Sequence, residues 1–168
     1  MRYWIICVFW LGIFTGLGFS QNTFINVDGN WSLNIDASDL TGGPGTNLRP
    51  DYNSLVSGAL IDLDVLKSPG NWWYWFFRWD WRVNVHMQPI NWESSWQVWV
   101  RRTGDGDYFL GDIQGGETFQ QLSGMDITFC QGNRNHENIP LEYELRGVSL
   151  PLHTGQYSAI IYYTLTEL

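Results

Sequence analysis

Few residues in this sequence could carry out chemistry, and the closest pair of them is Glu142 and Glu144. On one face of a strand such carboxylates would lie about 7 Å apart, close to the separation that glycosidases use. A solvated strand face produces the same alternation, and we favour that interpretation. The sequence contains no Gly-x-Ser-x-Gly, His-Glu-x-x-His, Cys-x-x-Cys or phosphate-binding glycine loop. We therefore predict no enzyme activity and no catalytic residue.

A second group of candidate residues is the acidic set Asp105, Asp107 and Asp112, whose oxygens could bind Ca²⁺. The segment lacks a closing Glu, and Asp-Gly is first of all a turn signal. The chain also has three widely separated histidines, which we interpret as surface or turn residues: His86, His136 and His153. The sequence therefore predicts no metal site and no cofactor.

Aromatic residues are concentrated in one stretch, Trp72 to Val85. Its odd positions are all apolar, which is the period of a strand with one buried face. Among the even positions, Trp72, Tyr74 and Phe76 are aromatic, whereas those from Arg78 onward are polar. The first three form a candidate platform for stacking on sugar rings, although burial is the commoner fate of such side chains.

These residues require strands to position them, and the rest of the chain alternates in the same way. Trp31, Leu33 and Ile35 predict a half-buried strand, and Leu55 to Val65 predicts a strand that forms a hairpin with the Trp-rich one. The last strand is predicted at Tyr157 to Thr166. Short alternating runs separated by glycine turns indicate an all-β fold, an antiparallel β-sandwich of Greek-key or jelly-roll type in a single domain.

The N-terminus and the charge limit the class of protein. Arg2, the apolar run after it and the small residues Gly18 and Ser20 are typical of a secretory signal peptide at 1–20, which leaves a domain at 21–168 with no transmembrane segment. The net charge of −8 repels phosphate backbones, so we exclude nucleic acid as a partner. Cys130 is the only cysteine outside the signal peptide, which excludes an internal disulfide.

Two short segments carry a resemblance to a known family. Trp31-Ser32-Leu33 is a Trp-x-Leu motif followed by a Gly-rich loop and the run SGALIDL, and the chain closes on GQYSAIIYYTLT at residues 155–166. Both segments resemble the WxL domain of Gram-positive cell-surface proteins, although Tyr163 stands where the second motif has Trp. The resemblance implies a secreted β-sandwich that binds the cell wall non-covalently through its peptidoglycan.

We therefore expect a secreted, non-catalytic structural or binding protein of the cell surface, whose partner is a cell-wall polymer or another envelope component. The resemblance assigns the wall-binding or core positions to Trp31, Leu33, Tyr163 and Leu165. One alternative is self-association by strand pairing into an extracellular filament or adhesin, since both ends of the domain are predicted strands. The other is a carbohydrate-binding module that uses the exposed aromatic platform.

Overall fold

The computed structural model of the chain describes residues 23–43, 45–65, 79–108, 110–150 and 155–168. Regular structure within these ranges is β-strand, apart from a single 3-10 turn at Ala37–Asp39. The strands form two antiparallel sheets that enclose one hydrophobic core, which confirms the predicted all-β sandwich. In the same ranges, no helix has the length and apolar character needed to cross a bilayer.

Eleven strands lie in the described part of the chain. Their bounds are β1 (Phe24–Gly29), β2 (Asp51–Asn53), β3 (Ala59–Asp64), β4 (Asp80–Asn91), β5 (Gln97–Arg102), β6 (Asp107–Tyr108), β7 (Asp112–Gln114), β8 (Gln120–Gln121), β9 (Ile127–Asn133), β10 (His136–Arg146) and β11 (Ser158–Glu167).

The two sheets combine strands that are distant in sequence. One sheet has the order β1-β3-β10-β5-β8, and β2 and β6 also pair with β10. The other has the order β11-β4-β9-β7. The predicted hairpin between the strand in 55–65 and the Trp-rich strand is wrong, because β3 pairs with β1 and β10 whereas β4 belongs to the other sheet. β3 is flanked by β1 and β10, and β4 is flanked by β11 and β9, so neither strand has a free edge for the other.

Strand β4 shows why the alternating sequence forms this fold. Trp81, Val83 and Val85 are fully buried, and the polar residues between them lie on the opposite face, as the alternation predicts. The indole nitrogen of Trp81 donates to the carbonyl oxygen of Arg134 at 2.7 Å, so the polar atom of this buried ring is satisfied. The aromatic residues of the earlier half of the stretch, 72–78, lie outside the described residues.

The core is formed where the inner faces of the two sheets meet. Its fully buried side chains come from both sheets, for example Ile61 and Leu141 from one and Val83 and Phe129 from the other. Apolar residues recur at every second position of these strands, which is the pattern of a sheet with one face turned to the core. The core therefore depends on pairing between strands that are distant in sequence.

The predicted strand through Trp31, Leu33 and Ile35 is wrong, because residues 30–36 contain no strand. The ladder between β1 and β3 ends where Gly29 pairs with Ala59, which is the first residue of β3. Beyond Gly29 the chain runs past the start of its neighbour and has no strand to pair with. Alternation alone did not reveal where the partner strand begins.

Candidate functional site

The candidate binding site is an open cleft of about 370 Å³ at the end of the β1–β3 ladder. We call it the Trp31 cleft; residues 30–33 form one side of it, and residues 53–55 with Gly58 form the other. Trp31 is half-buried, Leu33 is 39% exposed and Leu55 is 84% exposed, so apolar surface is open to solvent in the cleft. Amide groups from Asn30 and Asn53 belong to the same lining.

Gly29 sets the path that brings Trp31 to this cleft. Its φ of +129° is a conformation that side-chain-bearing residues rarely adopt, and a Cβ at this position would lie 2.6 Å from the Cα of Ala59. Only glycine therefore allows the backbone to pass so close to β3. The opposite wall is a tight turn in which the Gly58 amide donates to the Leu55 carbonyl at 3.0 Å and Ser57 has a φ of 66°.

Tyr143 of β10 supports the Trp31 ring from the core side. The two rings are stacked, with 6.5 Å between centroids and planes that differ by 8°. Ser54 fixes the backbone of Tyr143 from both directions: the Ser54 amide donates to the Tyr143 carbonyl at 2.8 Å, and the Ser54 hydroxyl accepts from the Tyr143 amide at 2.9 Å. Trp31 therefore stacks on Tyr143, whose backbone N–H and C=O groups are both hydrogen-bonded to Ser54.

Tyr163 and Leu165 are partly buried against the core, as Trp31 is, but they belong to a paired strand. Both point from β11 toward the core, where Tyr163 packs edge-on against Phe129 with 5.9 Å between ring centroids. The Tyr163 hydroxyl lies 3.0 Å from the Tyr143 hydroxyl. The two segments that carry the resemblance therefore meet at Tyr143, but neither Tyr163 nor Leu165 lines the Trp31 cleft.

The electrostatic character of the two segments also differs. The lining of the Trp31 cleft contains amides, hydroxyls and apolar groups and no charged side chain. In the core, burial raises the pKa of Tyr163 well above its ordinary value of 10.0, and burial likewise raises the pKa of Tyr143. The phenols behind the cleft are thus neutral hydrogen-bonding groups, and the cleft can bind a ligand by stacking and by hydrogen bonds.

Three residues of the cleft were not predicted from the sequence, namely Asn53, Ser54 and Leu55. Asn53 and Ser54 end the long loop predicted at 37–54, to which the sequence assigned no particular role, and Leu55 was predicted as the first residue of the strand Leu55 to Val65, although it is 84% exposed before β3 begins. The available signal was an exposed Leu-Val pair beside Ser-Gly, since aliphatic residues at the tip of a polar turn are unusual. Tyr143, which supports Trp31, was not singled out from the sequence either.

Glu142 and Glu144 lie on one face of β10, but the prediction of a solvated face is wrong for Glu142, which is 5% exposed. Its carboxylate pairs with the Arg101 guanidinium at 2.6 Å. Glu144 accepts from Arg146 Nε at 2.8 Å. Both arginines also cover aromatic rings, Arg101 over Phe119 and Arg146 over Trp99. Glu142 is therefore paired with an arginine that itself lies over an aromatic ring.

Arg102 is the inward residue of β5 and organises a second cleft of about 370 Å³. Its side chain is 1% exposed and forms ion pairs with Asp105 and with Glu117, the latter at 2.7 Å. It also donates to the carbonyl oxygens of Gly104, Ile113 and Gly115. Because Nε and both Nη atoms of this guanidinium donate to protein acceptors, little of its hydrogen-bonding capacity is left for a ligand.

The acidic residues whose oxygens could bind Ca²⁺ have protein partners. Asp105 pairs with Arg102, and Asp107 accepts from the Asn138 amide at 2.9 Å. Asp112 accepts from the Gln114 amide at 3.3 Å. Within the described residues, no group of three or more His, Cys, Asp or Glu side chains is arranged to hold a metal ion.

The prediction that the histidines lie on the surface is wrong for His136, which is fully buried on β10. Its Nδ1 lies 3.0 Å from the Asp105 carbonyl oxygen, and its ring is stacked on Tyr108 and meets the edge of Trp81. His86 lies on β4 and contacts the Asp126 carboxylate at 2.7 Å. His153 and the aromatic platform Trp72, Tyr74 and Phe76 lie outside the described residues.

The sequence matches no protein-family model, no curated protein and no solved structure.

Proposed function

We propose that this is a non-catalytic binding protein that attaches to a polymer of the cell wall or envelope through the Trp31 cleft. The observation that carries the proposal is the Trp31 ring, which is half-buried against Tyr143 and lines an open cleft. Proteins bind saccharides by stacking an aromatic face on a sugar ring and by hydrogen bonds from amides and hydroxyls to its hydroxyl groups. Asn30, Asn53 and Ser32 supply those polar groups here.

The chemistry of the cleft favours a neutral saccharide. Its lining has no cation to pair with a phosphate or a carboxylate, and the whole chain has a net charge of −8. Attraction of an anionic polymer would need a local positive potential, which this surface does not provide. The ligand class is thus an uncharged glycan, such as the acetamido sugars of a wall polymer, whose N-acetyl groups can pair with the Asn amides.

The proposal extends to the place where the protein acts. A positively charged residue, an apolar run and small residues at 1–20 support export, and the resemblance of Trp31-Ser32-Leu33 to the WxL domain supports attachment to a wall. In this proposal the protein is secreted and stays at the cell surface as a structural or binding component, with a wall polymer as its partner.

Co-sedimentation with insoluble purified cell walls tests the proposal. We expect the full chain to pellet with walls and to remain in solution without them. Trp31→Ala should stay in solution in both cases, because the stacking surface is lost. Ile90→Ala is the matched control, since Ile90 is 64% exposed on β4 and lies in the other sheet. Equal pelleting of the Trp31 variant and the control would refute the cleft as the binding site.

A further inference from the structure

One side of the Trp31 cleft is an insertion within a β-ladder. β2 and β3 both pair with the edge of β10 that faces away from β5, so they follow one another along that edge. Between the pair Asn53–Glu144 and the pair Ala59–Leu141, the edge chain has five residues, 54–58, where β10 has two. We call residues 54–58 the bulge. Bulges of this kind are frequent next to functional sites, where they direct side chains out of the sheet.

The bulge has two features that are typical of a binding loop. Ser57 has a φ of 66°, a conformation that costs energy for a residue with a side chain, and such strain is concentrated at ligand sites. Leu55 and Val56 are both exposed, although they are aliphatic. The bulge therefore holds apolar side chains in solvent beside the Trp31 ring instead of burying them in the core.

Ser54 is where the chain leaves the sheet. In a continuous antiparallel ladder, the two residues of a hydrogen-bonded pair exchange both of their backbone bonds. The Ser54 amide donates to the Tyr143 carbonyl at 2.8 Å, which forms one of the two. The Tyr143 amide donates to the Ser54 hydroxyl at 2.9 Å. The side chain thus supplies the acceptor that the backbone of a regular strand would provide.

The same hydroxyl also holds the turn of the bulge. It donates to the Leu55 carbonyl at 3.1 Å, and this carbonyl accepts the Gly58 amide at 3.0 Å as well. Ser54 is buried, so water does not compete freely for these bonds. One hydroxyl therefore connects Tyr143, on which Trp31 stacks, with the turn that presents Leu55 on the opposite side of the cleft.

We propose that the bulge is the recognition loop of the Trp31 cleft and that Ser54 is its positioning residue. The hydroxyl is engaged by the protein both as a donor and as an acceptor, so it acts through Tyr143 and Leu55 and not on the ligand itself. Both sides of the cleft are then held in place before a glycan arrives, which reduces the ordering that binding requires. This role rests on the proposed function, because it presumes that a glycan enters the cleft.

Substitution of Ser54 tests the role through binding. Titration of the full chain with purified walls should show that Ser54→Ala raises the dissociation constant about tenfold, as expected when one or two side chains must be ordered on binding. Ser54→Thr keeps the hydroxyl and should bind like the wild type. Ser123→Ala is the matched control, since the Ser123 hydroxyl also accepts a backbone amide, that of Met125 at 3.2 Å, outside the cleft.

The indole N–H signal of Trp31 tests the same role without any ligand. Its position depends on the stacking with Tyr143, so we expect Ser54→Ala to shift the signal and Ser54→Thr and Ser123→Ala to leave it in place. An unshifted signal in Ser54→Ala, or equal loss of wall binding in Ser54→Ala and Ser123→Ala, would overturn the proposal. A wild-type chain that does not bind walls would refute the proposed function, and the ligand-free signal would then decide whether Ser54 holds the stack.

Amide hydrogen exchange of the wild type needs no substitution and applies even where Ser54→Ala does not fold. A soluble, uncharged wall glycan at saturation should slow exchange at the amides of Tyr143 and Gly58 together, because the Ser54 hydroxyl couples the two sides of the cleft. The Met125 amide is the reference, since its partner lies outside the cleft. Slowing at Tyr143 and Gly58 no greater than at Met125 would overturn the proposal.

Discussion

The Trp31 segment and strand β11 have the same kind of sequence and different structures. Both alternate apolar and polar residues, and both carry part of the resemblance to the WxL domain. β11 pairs with β4 along its whole length and turns Tyr163 and Leu165 to the core. The Trp31 segment has no strand partner and leaves Leu33 39% exposed. A shared pattern therefore forms the inner face of a sheet where a partner strand exists and lines an open cleft where it does not.

Tyr143 links the two regions, so their roles can be separated by substitution. It is stacked under Trp31 and lies 3.0 Å from Tyr163 through the two hydroxyl oxygens. Loss of the inner partner should affect stability above all, and loss of the outer partner should affect binding above all.

The largest effect is expected for Tyr163→Ala. The substitution removes a ring packed against Phe129 and leaves the Tyr143 hydroxyl without its partner. Because the ring is partly buried, we expect a loss of about 2 to 4 kcal/mol in the free energy of unfolding, somewhat below that for a fully buried aromatic side chain. Urea denaturation measures it. A loss of less than about 1 kcal/mol would contradict the assignment of Tyr163 to the core.

The second-largest effect is expected for Gly29→Ala, because Gly29 sets the backbone path from β1 to the Trp31 cleft. A Cβ at residue 29 would lie 2.6 Å from the Cα of Ala59 while φ stays at +129°. We expect about 1 to 3 kcal/mol of destabilisation from backbone strain, together with weaker wall binding because the Trp31 segment must shift. Gly124→Ala is the matched control, since a Cβ there meets nothing within 4 Å. Equal stability of both variants would contradict this role of Gly29.

Alkaline pH should weaken the core and spare the cleft. Burial holds the pKa of Tyr163 well above 10.0, so above pH 10 the unfolded chain releases a proton that the folded chain keeps. The stability that this phenol contributes is therefore fully present below about pH 10 and is lost as the pH rises further, by up to about 1.4 kcal/mol per pH unit. Burial also raises the pKa of Cys130 from 9.0 to about 12, which acts in the same direction from about pH 9.

Unfolding measured between pH 8 and 11 should show this decline in the wild type and a shallower one in Tyr163→Phe. Trp31→Phe should keep the wild-type slope, because no ionisable side chain lines the Trp31 cleft. Parallel slopes for the wild type and Tyr163→Phe would show that the phenol of Tyr163 ionises equally in both states.

The smallest effect on stability is expected for Leu33→Ser. Leu33 is 39% exposed and lies in a segment without strand pairing, so we expect a change within about 0.5 kcal/mol. Binding to walls should weaken severalfold, since apolar surface of the cleft is lost. A stability loss as large as that of Tyr163→Ala would place Leu33 in the core and remove the contrast between the two regions.

How much of this could be predicted from the sequence depends on where the partners of each residue lie. The buried face of β4 was predicted correctly, because alternation of Trp81, Val83 and Val85 needs only a local pattern. The Trp31 segment was predicted wrongly as a strand, because its structure depends on where β3 begins. Pairing partners are set by contacts between strands that are distant in sequence, which a single-sequence pattern does not encode.

The burial of polar residues was also beyond the sequence pattern. Glu142 and His136 looked like surface residues because their types usually are. Glu142 is paired with Arg101 of the neighbouring strand, whereas His136 has the Asp105 carbonyl oxygen at Nδ1 and no partner at its buried Nε2 among the described residues. The site was predicted only in part for the same reason: Trp31 and Leu33 were singled out, whereas Asn53 and Ser54 reach the cleft through the pairing of β2 with β10.

The most direct test of the central claim is a titration followed on the indole N–H signal of Trp31. A soluble, uncharged fragment of a wall glycan would be added to the full chain, and the signal would be assigned by its absence in Trp31→Phe. The account predicts that the Trp31 signal shifts with saturable dependence on the glycan and that the buried indole of Trp81, bonded to the Arg134 carbonyl, does not shift. Binding detected by other signals with the Trp31 signal unchanged would contradict the account.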